Sequence, residues 1–326
     1  MGIGVGPPAG LPLSDRGPAG AELRGLEVPP ELSGERVDKA VAGLLGLSRA
    51  EVAALVEQAA VRVDGSPVSV RSRRVVAGER IEVEAPSPDE RRALVPDPSV
   101  VVAVVHLDAE VIVVDKPAGL VVHPGAGRTG GTLAGGLLHR FPELREVGDP
   151  VRPGIVHRLD RLTSGLLVVA RTPLAHRSLV AQLSARAVER RYLALCRGAP
   201  EGAAGVVDAP IGRSVRRPTR MAVATGGRQA RTRYRVLRRF SVPVAASLLE
   251  CVLETGRTHQ LRVHLAAIGS PVLGDAEYRG ASSAVSLRRP FLHAAHLGFD
   301  HPASGQRLRF SAPLPEELTN LLVGFS

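Results

Sequence analysis

Short apolar runs rich in β-branched residues alternate with turn-forming clusters along this chain, and stretches with helical spacing are few. Val111–Val114 and Leu166–Ala170 are unbroken apolar runs, the pattern of strands buried on both faces. Arg191–Leu195, Ala230–Leu237 and Ser247–Leu253 also read as strands. Val37, Ala40, Val41, Leu44 and Leu45 recur at helical spacing, and Ser48 is placed to cap a second helix carrying Val52, Leu55 and Val56. Val61-Arg62-Val63 then alternates into the hairpin pair Asp64-Gly65, and Ile81–Glu84 follows the Ala77-Gly78-Glu79 turn. Further helices are predicted at Arg177–Leu183 and at Leu261–Ile268, the latter entered through Gly256-Arg257-Thr258-His259. The pattern predicts the α+β class, with a long mixed sheet in the larger part.

Turn and linker composition divides the 326 residues. Residues 1–30, rich in Gly and Pro, read as a flexible tail, with no charged start and apolar core of a secretory signal. Residues 31–86 read as a small α/β module, 87–98 as a Pro- and acid-rich linker, and 99–326 as one large domain. No apolar run approaches the roughly 18 residues of a membrane span. The expectation is a cytoplasmic protein. Cys196 and Cys251 lie in apolar strand-like runs and read as buried free thiols.

Charge sharpens this picture. Residues 31–98 hold 10 basic and 12 acidic groups, whereas 99–326 hold 30 basic and 17 acidic. The large domain therefore carries the whole positive excess, as a surface that docks on polyanion would. Only Lys39 and Lys116 among the 42 basic residues are lysines. Base composition of the gene can explain much of that bias, but not the net charge. There is no phosphate-binding G-x-x-x-x-G-K-[ST] loop and no dinucleotide fingerprint. His259 and His264, five apart, fall on different helical faces, so no metal is expected.

The chemistry concentrates in Gly154–Arg171, G-I-V-H-R-L-D-R-L-T-S-G-L-L-V-V-A-R. Asp160 falls in a short polar loop, and Thr163, Ser164 and Gly165 are turn formers able to tighten it. Arg158 and Arg161 flank it, and two guanidinium groups near a carboxylate favour its charged form, ready as a nucleophile or base. A salt-bridged loop aspartate without chemistry is the alternative on these residues alone. A glycosidase would need a second acid, and none is evident.

The string H-R-L-D-x-x-T-S-G, closing with Ala170-Arg171, resembles the catalytic motif of pseudouridine synthases acting on large-subunit ribosomal RNA. Other segments resemble that family too: V-I-V-V-D-K-P-A-G-L-V-V-H-P-G from Val111, Arg191-Tyr192-Leu193-Ala194, and E-T-G-R-T-H-Q-L-R-V-H from Glu254. Gly274–Tyr278 and Leu292–Ala294 add to these, as does an arginine-rich insertion containing Arg213 and Arg220. Residues 35–84, through R-V-D-K-A, L-S-R, V-R-V-D-G and G-E-R-I-E-V, resemble an S4-type RNA-binding module. The whole most resembles the ribosomal large-subunit pseudouridine synthase D family. Leu162 departs from the charged residue common at its place.

The resemblance implies that Asp160 is the essential catalytic residue, that Tyr192 packs against the target base, and that Arg262, or else Arg257, pairs with the aspartate. It also implies RNA or substrate contacts at Arg158, Arg161, Thr163, Arg257, His259, Gln260, Arg213 and Arg220, and at Arg49 and Arg62 in the module. Arg158 is the candidate to fill the gap left by a flipped uridine. Lys116 and His123 read as structural support. The implied partner is large-subunit ribosomal RNA, free or in a pre-assembled 50S particle, bound by a monomer without a small-molecule cofactor. Two alternatives stand: a tRNA-directed synthase, and a non-catalytic S4-type binding factor, which would not need Asp160, Tyr192 and Arg262 together.

Overall fold

The computed structural model describes residues 21–86, 94–123 and 130–326, and the chain divides into two compact units, Met1–Ala93 and Leu94–Ser326. Pro124 and Gly125 of the sequence reading, with residues 1–20 of the expected tail and 87–93 of the expected linker, lie outside the described residues.

The smaller unit runs β1 (Ala21–Glu27), α1 (Val37–Leu45), α2 (Arg49–Glu57), β2 (Val61–Val63), β3 (Ser66–Pro67) and β4 (Arg80–Pro86). Its sheet has the order β1-β4-β2-β3, antiparallel throughout. Ser48 caps α2 through a reciprocal box: Glu51 N–H donates to Ser48 Oγ at 3.2 Å, and Ser48 N–H to Glu51 Oε2 at 2.7 Å. Val37, Val41, Val52, Val61, Ile81 and Val83 form the core. The segment expected to be a tail through residue 30 contributes β1 instead, in full register with β4. Its side chains offer little apolar burial (Leu23 is exposed), so backbone pairing holds it and hydropathy gave no sign.

The larger unit contains β5 (Ala103–Leu107), β6 (Val111–Lys116), α3 (Leu133–Arg140), β7 (Ser164–Ala170), α4 (Pro173–Ser184), β8 (Glu189–Arg197) and β9 (Ala204–Asp208). It continues with β10 (Ile211–Arg213), β11 (Met221–Val223), β12 (Arg231–Phe240), β13 (Ala246–Leu253), α5 (Gln260–Ala267), β14 (Leu292–Asp300), β15 (Arg307–Ser311) and α6 (Glu316–Val323). Nine of these strands form one sheet of order β5-β6-β7-β14-β8-β13-β12-β9, with β15 also on β14. The β7–β14 pair is parallel and the others antiparallel, so the sheet is mixed.

The apolar runs are continuous because both faces of the sheet are covered. Ile112, Val114, Leu167 and Val169 pack with Leu133 and Leu137 of α3 on one side. Val111, Val113, Leu166 and Val168 pack with Ala175 and Leu179 of α4 on the other. At about 1.5–3 kcal/mol per fully buried aliphatic side chain, this double-sided core fixes the strands that carry the site. The linker expected over 87–98 ends sooner. Leu94 is buried, its N–H donates to Pro150 O at 3.0 Å, and Asp97 Oδ2 accepts Gly131 N–H at 2.8 Å, so this stretch belongs to the larger unit.

Candidate active site

Asp160 sits in the loop entering β7, and the loop is fixed through its carbonyl oxygens. Asp160 O accepts Thr163 N–H at 3.0 Å, closing a turn. Arg161 O accepts Gly119 N–H at 2.7 Å and Lys116 Nζ at 3.3 Å. Leu162 O accepts Arg289 Nη1 at 3.2 Å, while Arg289 Nε is held by Glu317 at 3.0 Å. Three successive carbonyls thus have fixed donors, which leaves the loop little freedom. Gly165 completes the anchor. Its φ is +115°, and a Cβ there would lie 2.3 Å from Ala294 O, so only glycine lets β7 meet β14.

Lys116 is fully buried at the end of β6, donating to Pro117 O at 2.8 Å and Leu120 O at 2.9 Å besides Arg161 O. Burial lowers its pKa to about 7, and the Asp160 charge works in the opposite sense. It acts as a cross-brace between the Pro117–Leu120 turn and the aspartate loop. His123, on the same side, takes a hydrogen bond of 3.0 Å with Arg158 Nη1.

Arg262, in the first turn of α5, faces the aspartate with Nη1 3.7 Å from Asp160 Oδ2. Its main partner is another acid. Nε and Nη2 donate to the two carboxylate oxygens of buried Asp275 at 2.6 and 3.0 Å, and Nη2 also reaches Glu277 at 2.8 Å. Burial opposes the guanidinium charge, but the hydrogen bonds and charge of Asp275, then the charge of Asp160, raise its pKa above the ordinary value. Its guanidinium also stacks 4.8 Å over the Tyr278 ring. Tyr278 OH accepts Met221 N–H at 3.2 Å and shares a 2.9 Å hydrogen bond with His259 Nδ1. The β10–β11 hairpin is therefore tied to the same group of residues.

Asp160, Tyr192 and Thr163 line one cleft of about 580 Å³, together with Arg190, Arg257 and His259. Tyr192 comes from β8, buried, and burial pushes its phenol up to about 12, against the pull of Arg190. It stays neutral at physiological pH. His259 enters α5 in the left-handed region at φ +57°, a conformation that costs a non-glycine residue about 1–3 kcal/mol. Burial lowers its pKa, with the Asp160 charge opposing.

Other expected residues are placed differently from the sequence reading. Among the described residues, neither Arg158 nor Arg161 forms an ion pair with Asp160; both side chains are exposed, and Arg158, which lines the same cleft, bonds His123 instead. The charge facing Asp160 comes from α5 instead, because a turn sends neighbouring side chains in different directions. Arg257, the second choice for that pairing, donates Nε to Gln229 O at 3.0 Å. Gln260 lies at the cleft wall, but its amide is fully engaged, with Arg231 O and Thr232 Oγ1 on Nε2, and Thr255 Oγ1 and Arg257 N–H on Oε1. Its amide braces the fold and has no free valence for substrate. His264 turns inward to Thr232 Oγ1 and Ala209 O. Arg213 and Arg220 lie on the β10–β11 hairpin, with Arg220 3.9 Å from Glu277. In the smaller unit, Arg49 approaches Asp38 at 3.9 Å and Arg62 points outward from β2.

Asp275 and Arg190 were missed as site residues. Asp275 could have been found as the first of two acids in the Gly274–Tyr278 turn, within the matched motif that follows α5. Arg190 could have been found from the two-residue period of β8, which puts it, and not Arg191, on the face of Tyr192.

Comparison with known proteins fits this geometry. Residues 110–267 match the family model described as RNA pseudouridylate synthase, a span holding Asp160, Tyr192 and Arg262. The Chloroflexus aurantiacus protein named "Uncharacterized RNA pseudouridine synthase" is 49% identical over 93% of this chain and 93% of its own. The chain belongs to the RNA pseudouridine synthases. The Nitrosomonas europaea protein named "Ribosomal large subunit pseudouridine synthase D" is 46% identical over 91% of this synthase and 86% of its own length. Human RNA Pseudouridylate Synthase Domain Containing 1 superposes with a TM-score of 0.55 at 29% identity, covering 71% of this synthase and 91% of the human chain. No helix among the described residues of this synthase is long and apolar enough to cross a membrane.

Proposed function

We propose that this synthase converts uridines of large-subunit ribosomal RNA to pseudouridine, with Asp160 as the catalytic carboxylate. The observation that carries this reading is the convergence of Asp160, Arg262 and Tyr192 from three separate elements, with the guanidinium 3.7 Å from the carboxylate. The relatives named for the large ribosomal subunit support the choice of RNA.

Pseudouridine formation detaches uracil from C1′, turns it, and rejoins it through C5, with no net redox change. A single carboxylate at the nucleoside suffices as the reacting group. In this reading Arg262 orients Asp160, and the neutral Tyr192 ring is the platform for the flipped base, a contact worth about 1–3 kcal/mol. The exposed Arg158 occupies the place the uridine leaves. Residues 31–86 serve as an S4-type RNA-binding module with Arg49 and Arg62 on phosphate, and the hairpin arginines Arg213 and Arg220 grip the strand. The protein acts as a cytoplasmic monomer on RNA or on a 50S particle.

The test is incubation with unmodified large-subunit RNA fragments followed by mapping of pseudouridine. Asp160→Ala is expected to remove all product while RNA affinity and the unfolding midpoint stay near wild type. Product from that variant, or joint loss of binding and folding, would reduce Asp160 to a structural residue.

A further inference from the structure

Four basic side chains of this synthase are buried among the described residues: Lys116, Arg190, Arg262 and Arg289. Lys116 is satisfied by three carbonyl oxygens, Arg262 by Asp275, and Arg289 by Glu317. Arg190 alone has no such arrangement. It is 6% exposed, and no carboxylate among the described residues lies within 4.0 Å of it. Nη2 donates to Leu253 O at 3.3 Å, and Nε is sealed from solvent without a hydrogen-bond partner. Nη1 also has no partner but, unlike Nε, is not sealed off, and the residue lines the cleft holding Asp160 and Tyr192.

The surroundings favour an anion there. A Cβ on Gly256 would lie 2.9 Å from Arg190 Nη1, so the glycine keeps space around that nitrogen although its φ does not require glycine. Arg228 and Arg257 line the same cleft, as does Arg186 with its partner Glu254 at 3.8 Å, and the Arg257 pKa is lowered by burial and by its two arginine neighbours, Arg228 and Arg186. A buried charge without a partner costs several kcal/mol. A neutral base cannot compensate a formal charge, whereas a phosphodiester carries one and accepts N–H donors.

We propose that Arg190 seats the phosphate next to the target uridine, its Nη1 donating to a non-bridging oxygen. The countercharge that Arg190 lacks within the described protein arrives with the substrate. This rests on the reading that the substrate is RNA turned over at Asp160, and it assigns a function to a residue which that reading leaves unused.

The test uses a large-subunit RNA stem-loop containing the mapped uridine, with the phosphates on its 5′ and 3′ sides replaced in turn by uncharged methylphosphonates. Equilibrium binding and turnover are measured for wild type and Arg190→Gln. One replacement should weaken wild-type binding about tenfold or more, and Arg190→Gln should lose a similar factor on natural RNA. The two losses should not multiply when combined. Multiplying losses, a wild type indifferent to both replacements, or an Arg190→Gln protein with full affinity would each overturn the assignment. If Arg190→Gln does not fold, Arg190→Lys takes its place: it keeps the charge and should retain the sensitivity to the same methylphosphonate. Intact coupling in binding with no pseudouridine formed sinks the functional reading alone, while turnover without coupling sinks only the phosphate site.

Discussion

The two faces of the sheet around β8 treat their arginines in opposite ways. On the outer face Arg191 pairs with Glu189, and Glu250 takes Arg191 at 3.6 Å and Arg235 at 3.1 Å. Glu254 joins Arg233 at 3.0 Å and Arg231 at 3.5 Å. On that face each of these arginines has a carboxylate partner, with the cations half in water. One residue along the strand, on the cleft face, Arg190 has no carboxylate partner among the described residues, whereas Arg262 of α5 holds Asp275 and Glu277 and also faces Asp160. The contrast teaches that arginine content alone says little about RNA binding. What matters is which arginines the fold leaves without internal compensation.

The sharpest way to break this comparison is to remove Arg262. Arg262→Met strands Asp275, which is 1% exposed, and losing one member of a buried pair costs about 3–5 kcal/mol. Denaturant unfolding followed by circular dichroism suits a chain with no tryptophan. A loss below 1 kcal/mol would mean that the cleft pair resembles the outer ones. Turnover should fall further in Arg262→Lys than its stability does, because lysine keeps the charge but not the fork.

The middle effect comes from Lys116. Its folded pKa is lowered by burial to about 7 from an ordinary 10.5. Between those values the unfolded chain holds more protons, so the folded state gains stability as pH rises, by at most about 1.4 kcal/mol per unit. Below pH 7 both states are protonated and the full cost of burying the charge is present. Relative to Lys116→Met, wild-type stability should therefore climb from pH 7 to 10 and stay flat below. With only two lysines in the chain, an ¹⁵N-lysine NMR titration should show the Lys116 signal moving near neutrality. A midpoint above 9 would contradict this.

The smallest effect belongs to the outer face. Arg235→Gln should cost less than about 1 kcal/mol, as exposed pairs do, and leave turnover unchanged. A tenfold loss of activity from that substitution would erase the distinction between the faces.

Much of this was legible in the sequence where one physical demand dominates. The strands β6 and β7 were readable from unbroken apolar runs, and α2 from its Ser48–Glu51 box. Asp160, Tyr192 and Arg262 were named from the family resemblance; Asp160 and Tyr192 line one cleft, and Arg262 lies 3.7 Å from the aspartate. Strand β1 was not legible, since backbone pairing leaves no hydropathic trace. Residues 94–98 looked like linker because, apart from the buried Leu94, their contacts are caps and single backbone bonds. Arg158 and Arg161 misled because adjacency in a loop is not adjacency in space. Gln260 looked like a substrate ligand by motif, but its two donors and two acceptors are spent within the protein.

The fork of Arg262 is already occupied by Asp275, and only its outer nitrogen addresses Asp160. An aspartate that bonds covalently to a nucleoside surrenders its negative charge while the adduct lasts. Arg262 need not swing in search of another acid at that moment, since Asp275 keeps it balanced and in place. In the proposed reaction the guanidinium thus keeps this geometry whether or not Asp160 carries its charge.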